Sequence, residues 1–334
     1  MKLGIAGSGG IVKEVLLALQ EVEEVQVTAI FVRPHSREKG EALADQYSIP
    51  SVYTDYAEFL QNPEMDFVYI GLINSAHFSY TREALLAGKN VIVEKPFASN
   101  LREVKLLAEL AQSKKLFLFE AVSLLHMPNY AKLQELLPQL GRITMVQANY
   151  SQYSSRYDKY LQREVLPAFD INLSGGSLYD INIYNLNLII GLFGAPKSVS
   201  YIANIGFNGI DTSGAALLQY DGFPAIATGA KDSDSPSGCT IQGEKGWLRC
   251  DGVPGELPSV DLCLRKQEPE HYALNTYSHR LAHEFKDFAD IFAAGDFAAR
   301  DRYLTISLQV AETAEKARLS AGIHFPADTT LDKE

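Results

Sequence analysis

The chain has 334 residues, 46% of them apolar and 21% charged, so it is long enough for two hydrophobic cores and has an ordinary globular composition. Its 41 acidic residues exceed its 30 basic residues, and the formal charge of -11 disfavours nucleic acid or an anionic membrane surface as a partner. The three cysteines form no C-x-x-C pair, which argues against a disulfide framework or zinc ribbon and fits the reducing cytoplasm. No run of about 18 apolar residues occurs, so no membrane span is expected.

The first third of the chain alternates short apolar runs with helix-like segments. This pattern predicts a parallel sheet made of strand-helix-strand units over residues 1–122. The predicted strands are residues 2–6, 25–32, 67–71, 90–94 and 116–120.

After about residue 122 the pattern changes to longer polar-apolar alternation punctuated by Gly and Pro, which predicts antiparallel or mixed strands with one solvated face. Residues 123–334 are therefore expected to form a second, α+β domain. Two amphipathic helices are expected near its end, in residues 281–296 and about 301–320, and the second could pack back on the first domain.

The segment "GIAGSGGIV" follows the first predicted strand and opens the first helix, where the backbone amides of a dinucleotide site approach a pyrophosphate. The third position of the glycine fingerprint is Val12, where Gly or Ala is expected. The alternative is a glycine-rich turn that holds no ligand. The expected cofactor-binding residues of this turn are Gly7, Ser8, Gly9, Gly10 and Ile11.

The second predicted strand ends in "IFVRPHSREK", with Arg33 where an NAD site places a carboxylate against the ribose 2′-hydroxyl. A guanidinium can bind a 2′-phosphate through paired charge-assisted bonds, so the sequence favours NADP, with NAD possible. The alternative is that Arg33 stacks on adenine or is a solvated loop charge.

The segment "VIVEKP" is one interior strand of the sheet and ends in a charged pair and a proline. Ligands of open parallel sheets bind beyond the carboxyl ends of the strands, where Glu94 and Lys95 fall. Pro96 prevents the strand from continuing, and Lys95 could exchange a proton with a substrate oxygen during hydride transfer. The alternative is an exposed ion pair that contributes little.

Residues 175–194, "GGSLYDINIYNLNLIIGLFG", have a pattern that fits either a strand or a buried helix. On a helix, Asp180, Tyr184 and Asn187 would form one polar stripe, with the first two Cβ atoms roughly 6 Å apart. On a strand the same two atoms would be about 13 Å apart, too far to share one substrate.

Several of these segments together resemble the glucose-fructose oxidoreductase / inositol dehydrogenase / rhizopine-catabolism (Gfo/Idh/MocA) family of NAD(P)-dependent oxidoreductases. The similar segments are "GIAGSGGIV", "NSAHFSYTREALLAGKNVIVEKP", "GGSLYDINIYNLN", "GEKGWLRCDG" and "SLQVAETAEKARLSAGIHFP". The resemblance implies an α/β fold: a Rossmann doubly wound parallel sheet, then an α+β domain whose open, mostly antiparallel sheet forms a dimer face.

The resemblance also implies roles for particular residues. Lys95 would be the catalytic lysine, preceding a cis peptide bond to Pro96. Leu72, Asn74 and His77 would belong to the N-x-x-H cofactor loop, with Ile73 where the family often has proline. Glu94 and Lys95 would also contact the cofactor. The resemblance favours a helix at residues 175–194.

In the family's Asp-x-x-x-His motif this chain has Asp180 and Tyr184, as in the dihydrodiol dehydrogenase and glucose-fructose oxidoreductase branches. We expect Lys95 and Tyr184 to converge on the substrate oxygen, with Asp180 orienting it and keeping Lys95 charged. The alternative is a buried Asp-Tyr structural pair.

Arg156 and Tyr157 could contact substrate, although the tyrosines around them also suit half-buried strand positions. His279 and His283 have the spacing of a metal pair but lack the HExxH order, so a solvated helix face and no metal are expected.

The sequence thus predicts a cytoplasmic NAD(P)-dependent oxidoreductase, a homodimer or larger, that acts on a hydroxyl-bearing carbon of a sugar, polyol or diol. One rival is a dinucleotide-binding sensor or regulator without turnover. Another is an enzyme that cleaves glycosides with the help of a tightly held redox cofactor.

Overall fold

The computed structural model describes residues 1–329, and the chain divides into two compact units. Unit 1 comprises Met1–Ala121 and Tyr277–Thr305, and unit 2 comprises Val122–Thr276 and residues 306–329. The chain therefore returns to unit 1 after leaving it, which a single boundary after residue 122 does not describe.

Unit 1 begins with alternating strands and helices. They are β1 (Lys2–Ala6), α1 (Gly10–Ala18), β2 (Gln26–Phe31), α2 (Arg37–Tyr47), β3 (Ser51–Tyr53), α3 (Tyr56–Leu60), β4 (Phe67–Ile70), α4 (His77–Leu86), β5 (Asn90–Glu94), α5 (Leu101–Lys114) and β6 (Leu118–Ala121). The strands form one parallel sheet in the order β3-β2-β1-β4-β5-β6. This order reverses direction between β1 and β4 and confirms the doubly wound fold. Strand β3, absent from the sequence-based prediction, is too short for a period to be visible.

Unit 2 is built on an eight-stranded sheet. Its elements are α6 (Pro128–Leu136), β7 (Ile143–Ser151), α7 (Tyr157–Leu161), α8 (Ile183–Phe193), β8 (Ser198–Ile205), β9 (Asp211–Gln219), β10 (Pro224–Ala230), β11 (Gly238–Gly243), β12 (Gly246–Asp251), β13 (Val260–Leu264) and β14 (Glu270–Tyr272). The strand order is β14-β13-β12-β11-β7-β10-β9-β8, and β7 with β10 is the parallel pair in this sheet. The predicted open, mostly antiparallel sheet is confirmed.

A helix crosses the face of this sheet at the segment whose pattern was ambiguous. Residues Leu178–Asn182 form a π-helical turn that leads directly into α8, so the helical interpretation is confirmed. The Asn182 amide donates to the Ala227 carbonyl at 3.0 Å, and the Asn185 amide donates to the Thr228 carbonyl at 2.9 Å. These bonds fix the helix against β10.

Two more helices, α9 (Ala282–Ala294) and α10 (Phe297–Ser320), follow β14 in the chain. In unit 1, the Phe288 ring of α9 stacks on Phe119 with centroids 4.6 Å apart, and Phe292 lies edge-on to Phe67 at 5.0 Å. The Phe285 ring is 5.7 Å from that of Tyr69. This aromatic packing explains why residues 277–305 belong to unit 1.

Candidate functional site

The glycine turn after β1 has the shape that a dinucleotide needs. Gly7 has φ +131, and a Cβ there would lie 2.4 Å from the Gly71 carbonyl oxygen, so only glycine fits. Gly9 and Gly10 are exposed, and a Cβ on either would have no neighbour within 4 Å. Gly9 occupies the N-cap position of α1 and has no side chain that could cap the helix. The backbone amides at this helix start can therefore bind a phosphate, flanked by the half-buried Ser8 and Ile11.

Val12 occupies the third position of the fingerprint without disturbing the turn. Its side chain is fully buried, and a Cβ on Gly71 would lie 2.8 Å from the Val12 Cγ2 atom. A small residue at the position of Val12 normally lets α1 pack closely on the sheet. Here the missing side chain of Gly71, which directly follows β4, provides the space for Val12. The sequence-based reasoning missed this compensation because the two residues are distant in the chain.

Arg33 lies just beyond β2, the strand next to β1, and its side chain is exposed. Its backbone is extended, with φ -62 and ψ 151. Arg37, in the following helix, donates to Glu41 at 2.8 Å. Arg33 therefore stands at the carboxyl edge of the sheet, where the ribose of a bound dinucleotide is expected.

The loop after β4 is tied to the segment after β5 by His77. This ring is fully buried, with Nδ1 2.8 Å from the Pro96 carbonyl oxygen and Nε2 3.2 Å from that of Leu72. Burial lowers the pKa of His77, and the charge on Lys95 lowers it further, against the opposing effect of the two carbonyls. Asn74 is half-buried in the same loop. Ile73 has φ -72, a value that proline also adopts, so the loop keeps its shape without one.

The charged pair at the end of β5 is not an exposed ion pair. The Glu94 carboxyl is buried and accepts a hydrogen bond from the Tyr69 hydroxyl at 2.5 Å. Burial raises the pKa of Glu94, while Tyr69, Lys95 and Arg280 oppose that rise. Lys95 is half-buried, and its peptide bond to Pro96 is cis, as the resemblance implied. An amine is therefore held at the strand end, where a proton could be exchanged with a ligand.

A second buried carboxyl of unit 1, that of Glu284, lies in the first turn of α9, close enough to Glu94 for the two charges to interact. Its side chain is fully buried, and neither carboxyl oxygen has a hydrogen-bond partner within residues 1–329. Burial raises the pKa of Glu284 well above its usual value, and Glu94 raises it further, whereas Arg280 lowers it. Glu284 and its neighbour His283 are both buried, so the prediction of a solvated helix face at His279 and His283 is wrong. The signal that could have revealed this is the adjacent Phe285 on the apolar face of α9.

In unit 2, Asp180 is paired with a lysine that the sequence-based reasoning did not identify. The Lys231 ammonium donates to the Asp180 Oδ2 atom, and the lysine side chain is only 3% exposed. The Asp180 side chain is 29% exposed. The ammonium also lies 4.9 Å from the centroid of the Phe169 ring. Asp180 is thus held as a carboxylate that faces solvent on one side.

Tyr184 follows one turn after Asp180, at the start of α8, and is 8% exposed. Its ring centroid is 5.9 Å from that of Tyr150, and a Cβ on Gly255 would lie 3.1 Å from the ring. Asn187 is buried, and its amide donates back to the Ile183 carbonyl at 3.0 Å. The polar stripe therefore reduces to Asp180 and Tyr184, because Asn187 is used inside the helix.

Asp211, the first residue of β9, anchors the start of the helical segment that carries Asp180. Its Oδ2 atom accepts from the Leu178 amide at 2.7 Å and from the Tyr201 hydroxyl at 2.8 Å. A Cβ on Gly176 would lie 2.1 Å from the Asp211 Oδ1 atom. Burial raises the pKa of Asp211 to about 6, although both hydrogen bonds oppose this rise.

The two candidate substrate-contact residues, Arg156 and Tyr157, have different surroundings in the structure. Tyr157 begins α7, and its ring centroid is 5.7 Å from that of Phe169, which connects it to Lys231 and Asp180. Arg156 directly precedes it in the chain and is exposed. Of the tyrosines around Arg156, Tyr150 lies in a strand, whereas Tyr153 lies in a loop and Tyr157 and Tyr160 lie in α7. The expectation that most of these tyrosines occupy strand positions is therefore wrong.

Two further observations concern the described chain as a whole. Within residues 1–329 no group of three or more His, Cys, Asp or Glu side chains has an arrangement that could hold a metal ion. In the same part of the chain, no helix combines the length and apolar character that crossing a bilayer requires.

The sheet order, the glycine turn and the strand-end lysine define a dinucleotide-binding Rossmann protein. Residues 1–122 match the oxidoreductase family with an NAD-binding Rossmann fold, and residues 130–249 match the GFO/IDH/MocA C-terminal domain. The chain belongs to this Gfo/Idh/MocA family and is an NAD(P)-dependent oxidoreductase.

Individual relatives agree with this assignment. The chain is 31% identical to the scyllo-inositol 2-dehydrogenase (NADP+) IolU of Bacillus subtilis, over 98% of this chain and 99% of that protein. It is 27% identical to the trans-1,2-dihydrobenzene-1,2-diol dehydrogenase of Mus musculus, with the same two coverages. A 3-ketoreductase from Actinomadura kijaniata, solved with NADP and TDP-benzene, shares the fold with a TM-score of 0.83, 21% identity and coverage of 96% and 97%.

Proposed function

We propose that the protein transfers a hydride between NADP and a hydroxyl-bearing carbon of a sugar, polyol or diol. The observation that carries this proposal is the position of Lys95. It directly follows the buried Glu94 at the end of β5, where Tyr69 donates a hydrogen bond to Glu94, and β5 lies two strands from β1, which leads into the open glycine turn. The names of the relatives, an inositol dehydrogenase and a diol dehydrogenase, support the substrate class.

The proposed roles follow the chemistry of each side chain. The bound nicotinamide cofactor supplies the hydride acceptor or donor. The backbone amides of the exposed Gly9 and Gly10, where a Cβ would have no neighbour within 4 Å, would hold its pyrophosphate. Lys95 would give a proton to the substrate oxygen or take one from it. Asp180 would accept a hydrogen bond from a substrate hydroxyl, and Tyr184 would bind or protonate the reacting oxygen.

The test is a screen of sugars, inositols, polyols and diols with NADP and with NAD, followed by the absorbance of the reduced nicotinamide. Turnover with at least one of these substrates is the expected result. Tight cofactor binding without turnover would favour the sensor. Cleavage of a glycoside without net change in the cofactor would favour the redox-assisted hydrolytic activity.

The proposed preference for NADP depends on Arg33. Replacing Arg33 with alanine should weaken NADP binding by about tenfold to a hundredfold and leave NAD binding nearly unchanged, because a charge-assisted bond to the 2′-phosphate is lost. Titration calorimetry with each cofactor measures both affinities. Arg37→Ala is the matched control, since Arg37 is exposed nearby but paired with Glu41. Equal losses for both cofactors would show that Arg33 stacks on adenine.

We also infer that the open face of the eight-stranded sheet joins two copies of the chain in the cytoplasm. Ile202 is 82% exposed in β8 and Leu217 is 51% exposed in β9, and Leu217 lies opposite the half-buried Ile226 of β10. Such an apolar strip on a sheet face is typical of a protein interface.

Replacing Ile202 with lysine should convert this dimer into monomers, because dimerisation would then bury an unpaired charge. Light scattering coupled to size exclusion gives the mass. Leu106→Lys, at an exposed apolar position on α5, is the control and should leave the mass unchanged. A native chain that is monomeric at all concentrations would contradict the inference.

A further inference from the structure

Lys231 is a buried lysine of unit 2 that pairs with Asp180. It directly follows β10 and is almost completely buried. A lysine this deeply buried is rare unless its charge is paired. Its ammonium donates to Asp180 and lies over the face of the Phe169 ring. Both contacts favour the charged form of the amine.

The backbone of Lys231 is fixed on both sides. Its amide donates to the Thr212 carbonyl at 2.9 Å, and its carbonyl accepts from the Ser154 amide at 2.9 Å. The base of the lysine side chain is therefore held between β9 and the segment that follows β7. A lysine with a rigid base can hold its partner in one place.

The residue after Lys231, Asp232, is acidic like Asp180, but its carboxylate has other hydrogen-bond partners. Its Oδ2 atom accepts from the Thr212 hydroxyl and the Ser213 hydroxyl, each at 2.7 Å. The acidic neighbour in sequence is therefore occupied by hydroxyl groups, while the lysine reaches across to the helical segment that carries Asp180. This division of partners points to a specific pairing of Lys231 with Asp180.

We propose that Lys231 is a positioning residue that keeps Asp180 ionised and oriented as a hydrogen-bond acceptor for a substrate hydroxyl. The proposal rests on the proposed oxidoreductase function and deepens it. A carboxylate paired with a buried ammonium accepts hydrogen bonds and does not donate them. The substrate should therefore carry a hydroxyl at the position that Asp180 contacts, besides the one that is oxidised or formed.

The test compares Lys231→Met with the native chain in steady-state kinetics. Methionine fills a similar volume but leaves Asp180 without its ammonium. KM for the polyol should rise about tenfold to a hundredfold, because a hydrogen bond to a fixed carboxylate is lost or misplaced, while kcat changes about threefold at most. NADP affinity should stay at the native value.

A pH profile supplies a readout that a purely structural role would not change. Without the ammonium, Asp180 takes up a proton more readily, so the acid limb of kcat/KM should move to higher pH in Lys231→Met. The other ionisable groups of this cluster are Tyr157, Tyr184 and Asp232, and all three remain in the variant. Lys197→Met is the matched control, since Lys197 pairs with Asp221 at the surface of the same unit and is 62% exposed.

A stability measurement tests the pair without reference to turnover. If Lys231→Met is destabilised through its uncompensated partner, adding Asp180→Asn should recover part of the lost melting temperature. An unchanged KM and acid limb in Lys231→Met, with the native chain active, would overturn the proposal. A native chain that turns over no substrate would overturn the proposed function instead, and the double variant would then still report whether the two residues are coupled.

Discussion

Replacing Lys95 with methionine should lower kcat by about a hundredfold to ten-thousandfold, because methionine cannot exchange a proton with the substrate oxygen. NADP binding should change little, since the pyrophosphate is expected to bind the glycine turn after β1. Steady-state kinetics and a cofactor titration on the same preparation separate the two effects. Lys95 directly follows β5 and is half-buried, and a methionine side chain of similar length can occupy its volume.

The control for this variant is Lys105→Met, which changes an exposed lysine of α5 in the same unit and should leave kcat at its native value. Undiminished turnover in Lys95→Met would remove the proposed proton-transfer role. Loss of cofactor binding together with turnover would instead mean that Lys95 acts by holding the cofactor.

The second large effect concerns the stability of unit 2 as a function of pH. Asp211 is 2% exposed, and burial raises its pKa from the usual 3.8 to about 6. Between these values the folded state binds more protons at this group than the unfolded state. The contribution of Asp211 to stability is therefore greatest below about pH 4 and is lost progressively as the pH rises to about 6. The difference corresponds to about 3 kcal/mol in the free energy of unfolding.

Asp211→Asn has no ionisable group at this position and should lack this pH dependence. The free energy of unfolding of the variant, relative to the native chain, should thus increase by about 3 kcal/mol between about pH 4 and about pH 7. Urea denaturation at several pH values measures it. Asp221→Asn, whose side chain is 84% exposed, is the control and should give a flat difference. A flat difference for Asp211→Asn would mean that this carboxyl ionises normally.

The sequence was most informative where structure depends on neighbouring residues. Five of the six strands of unit 1 were predicted because β-branched and aromatic runs are local signals, and β5 was predicted with its exact bounds. The helix at Asp180 and Tyr184 needed the family resemblance, since its apolar pattern fits two periods. The π-helical turn before α8 had no signal in the sequence that we could identify.

Residues that act through distant partners were missed. Lys231, Asp211 and Gly71 each matter because of one contact with a residue far along the chain, and single-sequence patterns contain no information on such pairs. A solvated helix face was predicted at His283 because polar residues on a helix are usually exposed, whereas His283 and the adjacent Glu284 lie on the buried side of α9.

The return of the chain to unit 1 has a consequence for how the protein is made. When residues 1–121 leave the ribosome, the aromatic face formed by Phe67, Phe117 and Phe119 has no covering helix, because α9 is synthesised only after residue 281. A nascent chain or a truncated fragment ending before α9 would therefore expose this surface to aggregation and to chaperones. The nucleotide-binding half, although encoded first, should therefore reach its stable form only after α9 has been synthesised.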